Sequence, residues 1–130
     1  MTQSLQSENE NFRKAMLFRP INKYHKFLID HFGGLSLLGC RAIASIAEEY
    51  ALDENTELKN SINHYAEKTG ITFDAVERNI RTYMNHIYQN YDYTALCNLF
   101  NYNFKPNGGN KVFLKEFIAV LKYTLDNESE

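Results

Sequence analysis

Five polar side chains lie on one side of a predicted helix and are of types that read DNA bases. Residues 72–90, projected at about 100° per residue, place the apolar Val76, Ile80 and Tyr83 together on one side. The other side is polar and includes Arg78, Arg81, Thr82, Asn85 and Gln89, with Glu77 at its edge. Arginine can donate two hydrogen bonds to guanine, and asparagine can pair with adenine. This pattern predicts a base-reading face, although a solvated amphipathic helix has the same periodicity.

Glu77 lies at the edge of this face and has two interpretations. Its carboxylate can accept a hydrogen bond from cytosine, or it can orient Arg78 or Arg81 through a pair within the helix. Both interpretations leave the two arginines as the main candidate donors to base edges.

Other kinds of chemistry have little support in the sequence. The four histidines are not paired at helical spacing with a carboxylate ligand, so we expect no metal site. Cys40 and Cys97 lie on separate apolar segments and form no Cys-x-x-Cys pair. Phosphate-cradling loops and nucleophile-elbow motifs are absent from the sequence. We therefore expect neither an enzyme nor a bound cofactor.

The predicted elements that position this face are all helices. The chain has 130 residues, enough for one domain, and its apolar residues recur at helical spacing with no useful strand pattern. We predict an all-α fold, a single compact domain of about six helices with an extra N-terminal helix. The expected divisions are an N-terminal tail and short helix over 1–19, the helical domain over 20–126, and an acidic tail over 127–130.

A tight turn is predicted before the polar helix. Ala66, Gly70 and Val76 supply a small residue, a turn residue that accepts a left-handed backbone, and an apolar contact on the second helix. This order predicts a helix-turn-helix with a first helix over 61–69 and a second over 72–90. On spacing alone, an ordinary helical hairpin fits as well.

The remaining helices are predicted from their ends. One helix ends near Phe32 before Gly33, and a longer one covers about 36–52. Asp92 is a predicted N-cap of a short helix. Asn110 is a predicted cap of the last helix, whose buried stripe would begin at Phe113.

Residues 66–81 resemble part of a known DNA-binding family. The run AEKTGITFDAVERNIR is similar to the C-terminal effector domain of the master sporulation response regulator of endospore-forming bacteria. That family carries a V-E-R-x-I-R core, matched by residues 76–81. Its LFxY and EFIA segments are matched at residues 99–102 and 116–119, and its early helix is similar to residues 41–43. The resemblance covers about residues 25–125.

The resemblance implies a partner and a set of contacts. Family members bind short sites on double-stranded DNA, often in tandem, and switch transcription on or off. It implies that Glu77, Arg78 and Arg81 contact base edges in the major groove, and Thr82 and Asn85 share their face. Phosphate contacts would come from the turn and from a lysine before the last helix. The matching positions are Thr72, Asp74 and Lys111, with Lys105 in the same glycine-rich loop.

The sequence also departs from the family. Where the family has Lys-Pro-Thr-Asn before the last helix, this chain has Lys111 followed by Val112 and Phe113. Only about two dozen residues precede the similar region, fewer than a receiver domain needs. We therefore expect control without an attached receiver. The alternative function is a protein-interaction module that modulates a full-length response regulator and binds DNA weakly or not at all.

Composition sets the remaining expectations. Fourteen basic and sixteen acidic residues give a net charge of −2, so bulk charge does not indicate a nucleic-acid binder. The polar N-terminus does not match a signal peptide, and no apolar run is long enough to cross a bilayer. We expect a cytoplasmic protein without a membrane partner, which binds DNA alone, as a homodimer or in tandem.

Overall fold

The computed structural model describes residues 19–34, 36–49 and 57–128. This part of the chain is all helical and forms one compact domain, which confirms the predicted fold class. The short helix expected before residue 19 lies outside the described residues. The helices are α1 (Lys23–Phe32), α2 (Leu38–Glu49), α3 (Leu58–Thr69), α4 (Phe73–Asn90), α5 (Tyr93–Phe100) and α6 (Leu114–Glu128).

Side-chain caps begin three of these helices. The first amides of a helix have no partner within it, so short polar side chains stabilise its start. Asn22 accepts a hydrogen bond from the His25 amide at α1, and Thr72 accepts from Ala75 at α4. Asp92 accepts from the Ala95 amide at α5, as the sequence predicts.

Helix α2 lies at the centre of the core and packs against α1, α3, α4 and α6. It is buried along nearly its whole length, from Gly39 to Ala47, except for the partly buried Arg41. Such central burial explains why its sequence is rich in small and apolar residues. The largest fully buried side chains around it include Tyr83, Phe104, Phe117 and Leu28.

Two helix starts differ from the predictions. Helix α3 begins at Leu58, three residues before the expected Ser61, because Leu58 and Ile62 pack on the core and hold the first turn. Helix α6 begins at Leu114, so Asn110 does not cap it. The chain stays extended up to this start because Val112 is buried and forms an antiparallel bridge with Pro106.

Further differences lie at Phe113, in α2 and at the C-terminus. The sequence predicts Phe113 in the buried stripe of the last helix, but it is 40% exposed, with the Lys105 ammonium 5.6 Å from its ring centroid. Helix α2 begins at Leu38, and the expected residues 50–52 at its end lie outside the described part. Helix α6 continues to Glu128, past the expected boundary, and Asp126 on it accepts a hydrogen bond from Tyr24.

Candidate nucleic-acid interface

The connection between α3 and α4 is three residues long and begins at a left-handed glycine. Gly70 has φ 73° and ψ 16°, a conformation that costs little only for glycine. Its amide and that of Ile71 both donate to the Ala66 carbonyl, which closes the end of α3. Ala66 and Val76 are buried on either side of this turn. Ala66, Gly70 and Val76 therefore lie on the first helix, at the turn and on the second helix, an arrangement that a helix-turn-helix and an ordinary helical hairpin share.

Helix α4 is amphipathic, and its apolar side faces the core. Five residues of this side are buried, namely Val76, Ile80, Tyr83, Met84 and Ile87. They recur every three or four residues, so the opposite side of the helix is left at the surface. All five predicted base-reading residues, Glu77, Arg78, Arg81, Thr82 and Asn85, are exposed there.

Both arginines on this face keep their donors available. Within the described part of the chain, neither Arg78 nor Arg81 forms an ion pair or a side-chain hydrogen bond. Glu77 lies beside them and forms no ion pair with any described residue. A planar guanidinium in this state offers a two-pronged donor to a ligand.

The back of α4 is attached to the end of α1 by hydrogen bonds. The last carbonyl groups of a helix have no partner within it. Side chains of α4 and of its C-cap residue form hydrogen bonds with these carbonyl groups at the end of α1. His86 Nε2 lies 2.7 Å from the Phe32 carbonyl oxygen, and the Tyr91 hydroxyl donates to the His31 carbonyl at 3.0 Å. The Tyr83 hydroxyl donates to the Gly33 carbonyl oxygen at 3.0 Å. These bonds fix the direction in which the exposed face points.

The Tyr83 hydroxyl is held in its donor form. Burial is the main cause that raises the pKa of this phenol above its ordinary value, with a further contribution from Cys40 beside it. The phenol is therefore protonated at neutral pH and can act as the donor to the Gly33 carbonyl.

The loop 105–112 is folded back on itself beside α4. The Asn107 amide donates to the Lys111 carbonyl at 2.9 Å, and the Lys111 amide donates to Gly108 at 3.0 Å. Gly108 and Gly109 between them have φ values of 81° and 54°, which only glycine adopts readily. These bonds give Lys111 a defined backbone position.

A cavity of about 360 Å³ lies between α4, the start of α3 and this loop. Its floor is apolar and includes Ile62, Ile80 and Met84. Helix α4 contributes Glu77, Arg81 and Asn85 to its wall, and the loop contributes Asn107 and Lys111. The cavity therefore brings Lys111 together with three of the five predicted base-reading residues. Arg78 and Thr82 lie outside it.

The other predicted phosphate contacts lie elsewhere. Thr72 lines a second pocket, of about 300 Å³, at the turn before α4. Asp74 is exposed in the first turn of α4, where its charge favours the helix start but repels phosphate. The Lys105 ammonium lies over the Phe113 ring. The backbone amide of Lys105 donates to the Glu116 carboxylate at 2.7 Å. Lys105 does not line the cavity that holds Lys111.

Sequence reasoning missed two residues that shape this site. Tyr88 is half-buried on the flank of α4 and holds the loop, and Asn107 lines the cavity. The spacing contains one signal for Tyr88, because it lies seven residues after Arg81 and so on the same flank of the helix. Asn107 had no such signal, since loop conformation does not follow from periodicity.

Comparison of the chain with protein-family models, curated proteins and solved structures found no match. The resemblance to the sporulation effector domain therefore stays a prediction. Within the described residues, no helix has the length and apolarity that a bilayer crossing requires. The same residues contain no group of three or more histidine, cysteine or acidic side chains arranged for a metal ion.

Proposed function

We propose that the protein is a sequence-specific regulator of transcription that binds double-stranded DNA with α4 in the major groove. The observation that carries the proposal is the exposed face of α4, where Arg78 and Arg81 have no partner among the described residues. An α-helix with its side chains is about 10–12 Å across, and the major groove is about 12 Å wide. The resemblance at residues 76–81 supports the same orientation.

The side chains of α4 have distinct roles in this proposal. Arg78 and Arg81 donate paired hydrogen bonds to guanine, and Asn85 pairs with adenine. Thr82 contacts a base edge through its hydroxyl or methyl group, and Glu77 accepts from cytosine or orients an arginine. The hydrogen bonds from α4 to α1 support this assignment, since a helix held from behind loses little freedom when it binds.

Phosphate contacts in this proposal come from both sides of α4. Lys111 supplies a charge beside Arg81. Lys105, whose ammonium lies over the Phe113 ring, supplies a second charge from the same loop. At the turn, the Thr72 hydroxyl and the backbone amide of Asp74 face a phosphate more favourably than the Asp74 carboxylate does. Because these groups contact only a few phosphates, the salt dependence of binding should be modest.

The test is selection of bound fragments from random duplex DNA, followed by fluorescence anisotropy on the enriched site. We expect Arg78→Ala and Arg81→Ala each to lose about 1–3 kcal/mol of discrimination at one base pair. Arg19→Ala is the matched control, because Arg19 is exposed before α1 and should not change base preference.

The DNA selection and a pull-down with the wild-type protein together decide between the candidate functions. A preference lost at one base pair in each variant would support the proposal, and enriched tandem sites would indicate binding by more than one copy. If the wild-type protein enriches no DNA sequence, the proposal is wrong. Recovery of a response regulator but no DNA in the pull-down would instead favour the protein-interaction module.

A further inference from the structure

One tyrosine of α4 holds the backbone of the loop that carries Lys111. The Tyr88 hydroxyl accepts a hydrogen bond from the Val112 amide and donates one to the Val112 carbonyl, both at 3.2 Å. Tyr88 therefore binds both main-chain groups of the residue that follows Lys111. A bond to both groups of one residue fixes the position of the loop relative to α4, which a side-chain contact would not do.

The surroundings of this tyrosine favour a lasting attachment. Tyr88 is half-buried, and Val112 is 3% exposed. Val112 also forms the antiparallel bridge with Pro106, on the opposite side of the loop. Water has little access to such a partly enclosed site, so it competes weakly for the two hydrogen bonds between Tyr88 and Val112.

The attachment places the positively charged residues Lys111 and Arg81 on the walls of the same cavity. Lys111 lies on the loop side of the 360 Å³ cavity, and Arg81 lies on the α4 side, two helical turns before Tyr88. We infer that Tyr88 is a positioning residue that holds the backbone at Lys111 beside Arg81, so that a phosphate contact and a base contact are made together. This inference rests on the proposed function and adds to it a residue that touches no DNA.

The consequence is a coupling between two sites on the protein. Without the Tyr88 hydroxyl, Lys111 would stay charged and exposed, but its loop would move relative to α4. The cost of ordering the loop would then exceed what one phosphate contact returns, so the Lys111 contact would no longer form and affinity would fall. Base preference would be unchanged, since Arg78 and Arg81 remain in place.

The experiment uses Tyr88→Phe, which keeps the ring and removes only the hydroxyl. On the selected duplex we expect affinity about three- to tenfold lower near 0.1 M salt, and a salt slope reduced by about one. Lys111→Ala should give the same two changes. The double variant should bind no more weakly than Lys111→Ala alone, because both changes remove one contact.

The matched control is Tyr91→Phe. Tyr91 follows the same helix and donates to the backbone carbonyl of His31, on the side away from the loop. Its loss removes a comparable hydrogen bond and should leave the salt slope at the wild-type value. Faster hydrogen exchange at the Val112 amide in Tyr88→Phe, but not in Tyr91→Phe, would show the attachment without DNA.

Each remaining outcome contradicts the inference in a recognisable way. If Lys111→Ala weakens binding and Tyr88→Phe does not, the positioning role is wrong while the proposed function stands. Additive losses in the double variant, or loss of cooperative unfolding in Tyr88→Phe, would mean that the hydroxyl supports the fold instead. If the wild-type protein binds no duplex, the proposed function fails first, and the inference with it.

Discussion

At the scale of single residues, the least accommodated polar group is a buried histidine at the start of α1. His25 has no exposed surface, and its Nδ1 accepts a hydrogen bond from the Ile21 amide at 3.1 Å. The proton therefore lies on Nε2, which has no partner in the described part of the chain. Burial lowers the pKa of His25 below 6.5, and the charge of Arg41 lowers it further.

This histidine predicts a loss of stability at mildly acidic pH. Because the folded pKa lies below the unfolded value of 6.5, the unfolded chain binds the proton more readily. The contribution of His25 to the free energy of unfolding should be complete above pH 6.5. It should be lost as the pH drops through that value toward the folded pKa. Urea unfolding between about pH 7 and about pH 5 measures the fall.

A substitution assigns this pH dependence to one residue. His25→Asn keeps an acceptor for the Ile21 amide and removes the titration, so it should be less stable at neutral pH but flatter with pH. His31→Asn is the control, because His31 is exposed on the same helix. An unchanged pH slope in His25→Asn would contradict the account of this residue.

At the scale of elements, the crossing of α2 and α4 is the closest approach in the described fold that involves a glycine. A methyl group added at Gly39 would lie 2.0 Å from the Asn79 carbonyl oxygen and 2.8 Å from Tyr83 Cβ. The oxygen belongs to helical backbone, so one of the two helices would have to move. The position of α4 in the domain therefore depends on a residue with no side chain.

Gly39→Ala is expected to be costly for this reason. Overpacking of a core typically costs about 1–3 kcal/mol, and we expect at least the upper end because backbone is displaced. Gly70→Ala is the comparison, since nothing lies within 4 Å of its added methyl and only its φ of 73° opposes it. Its cost should be about 1 kcal/mol. Equal urea midpoints for the two variants would contradict the close crossing.

The elements differ in how far the sequence predicts them. Helix α4 and its turn follow from local signals, because the apolar stripe, the Thr72 cap and Gly70 all act within a few residues. Gly39 has no such signal, since its requirement comes from Asn79, forty residues later. The start of α6 was missed for a related reason: Val112 is held by Tyr88 and Pro106 rather than by a helix cap.

At the scale of the whole molecule, the exposed polar face of α4 rests on one shared core. Helix α2 packs against α1, α3, α4 and α6, and α4 is bonded to α1 from behind and to the loop 105–112 at its flank. The domain thus presents Arg78 and Arg81 without needing to fold on contact. With a net charge of −2, the proposed DNA recognition would depend on a few placed side chains rather than on general attraction.

The central claim, that an arginine of α4 reads a base, is tested most directly by Arg81→Lys on the selected duplex. Lysine keeps the positive charge but lacks the two-pronged donor that guanine requires. We expect the preference at one base pair to fall by about 1–3 kcal/mol while the salt slope stays at the wild-type value. A retained base preference in Arg81→Lys would contradict the account, because Arg81 would then contribute only charge.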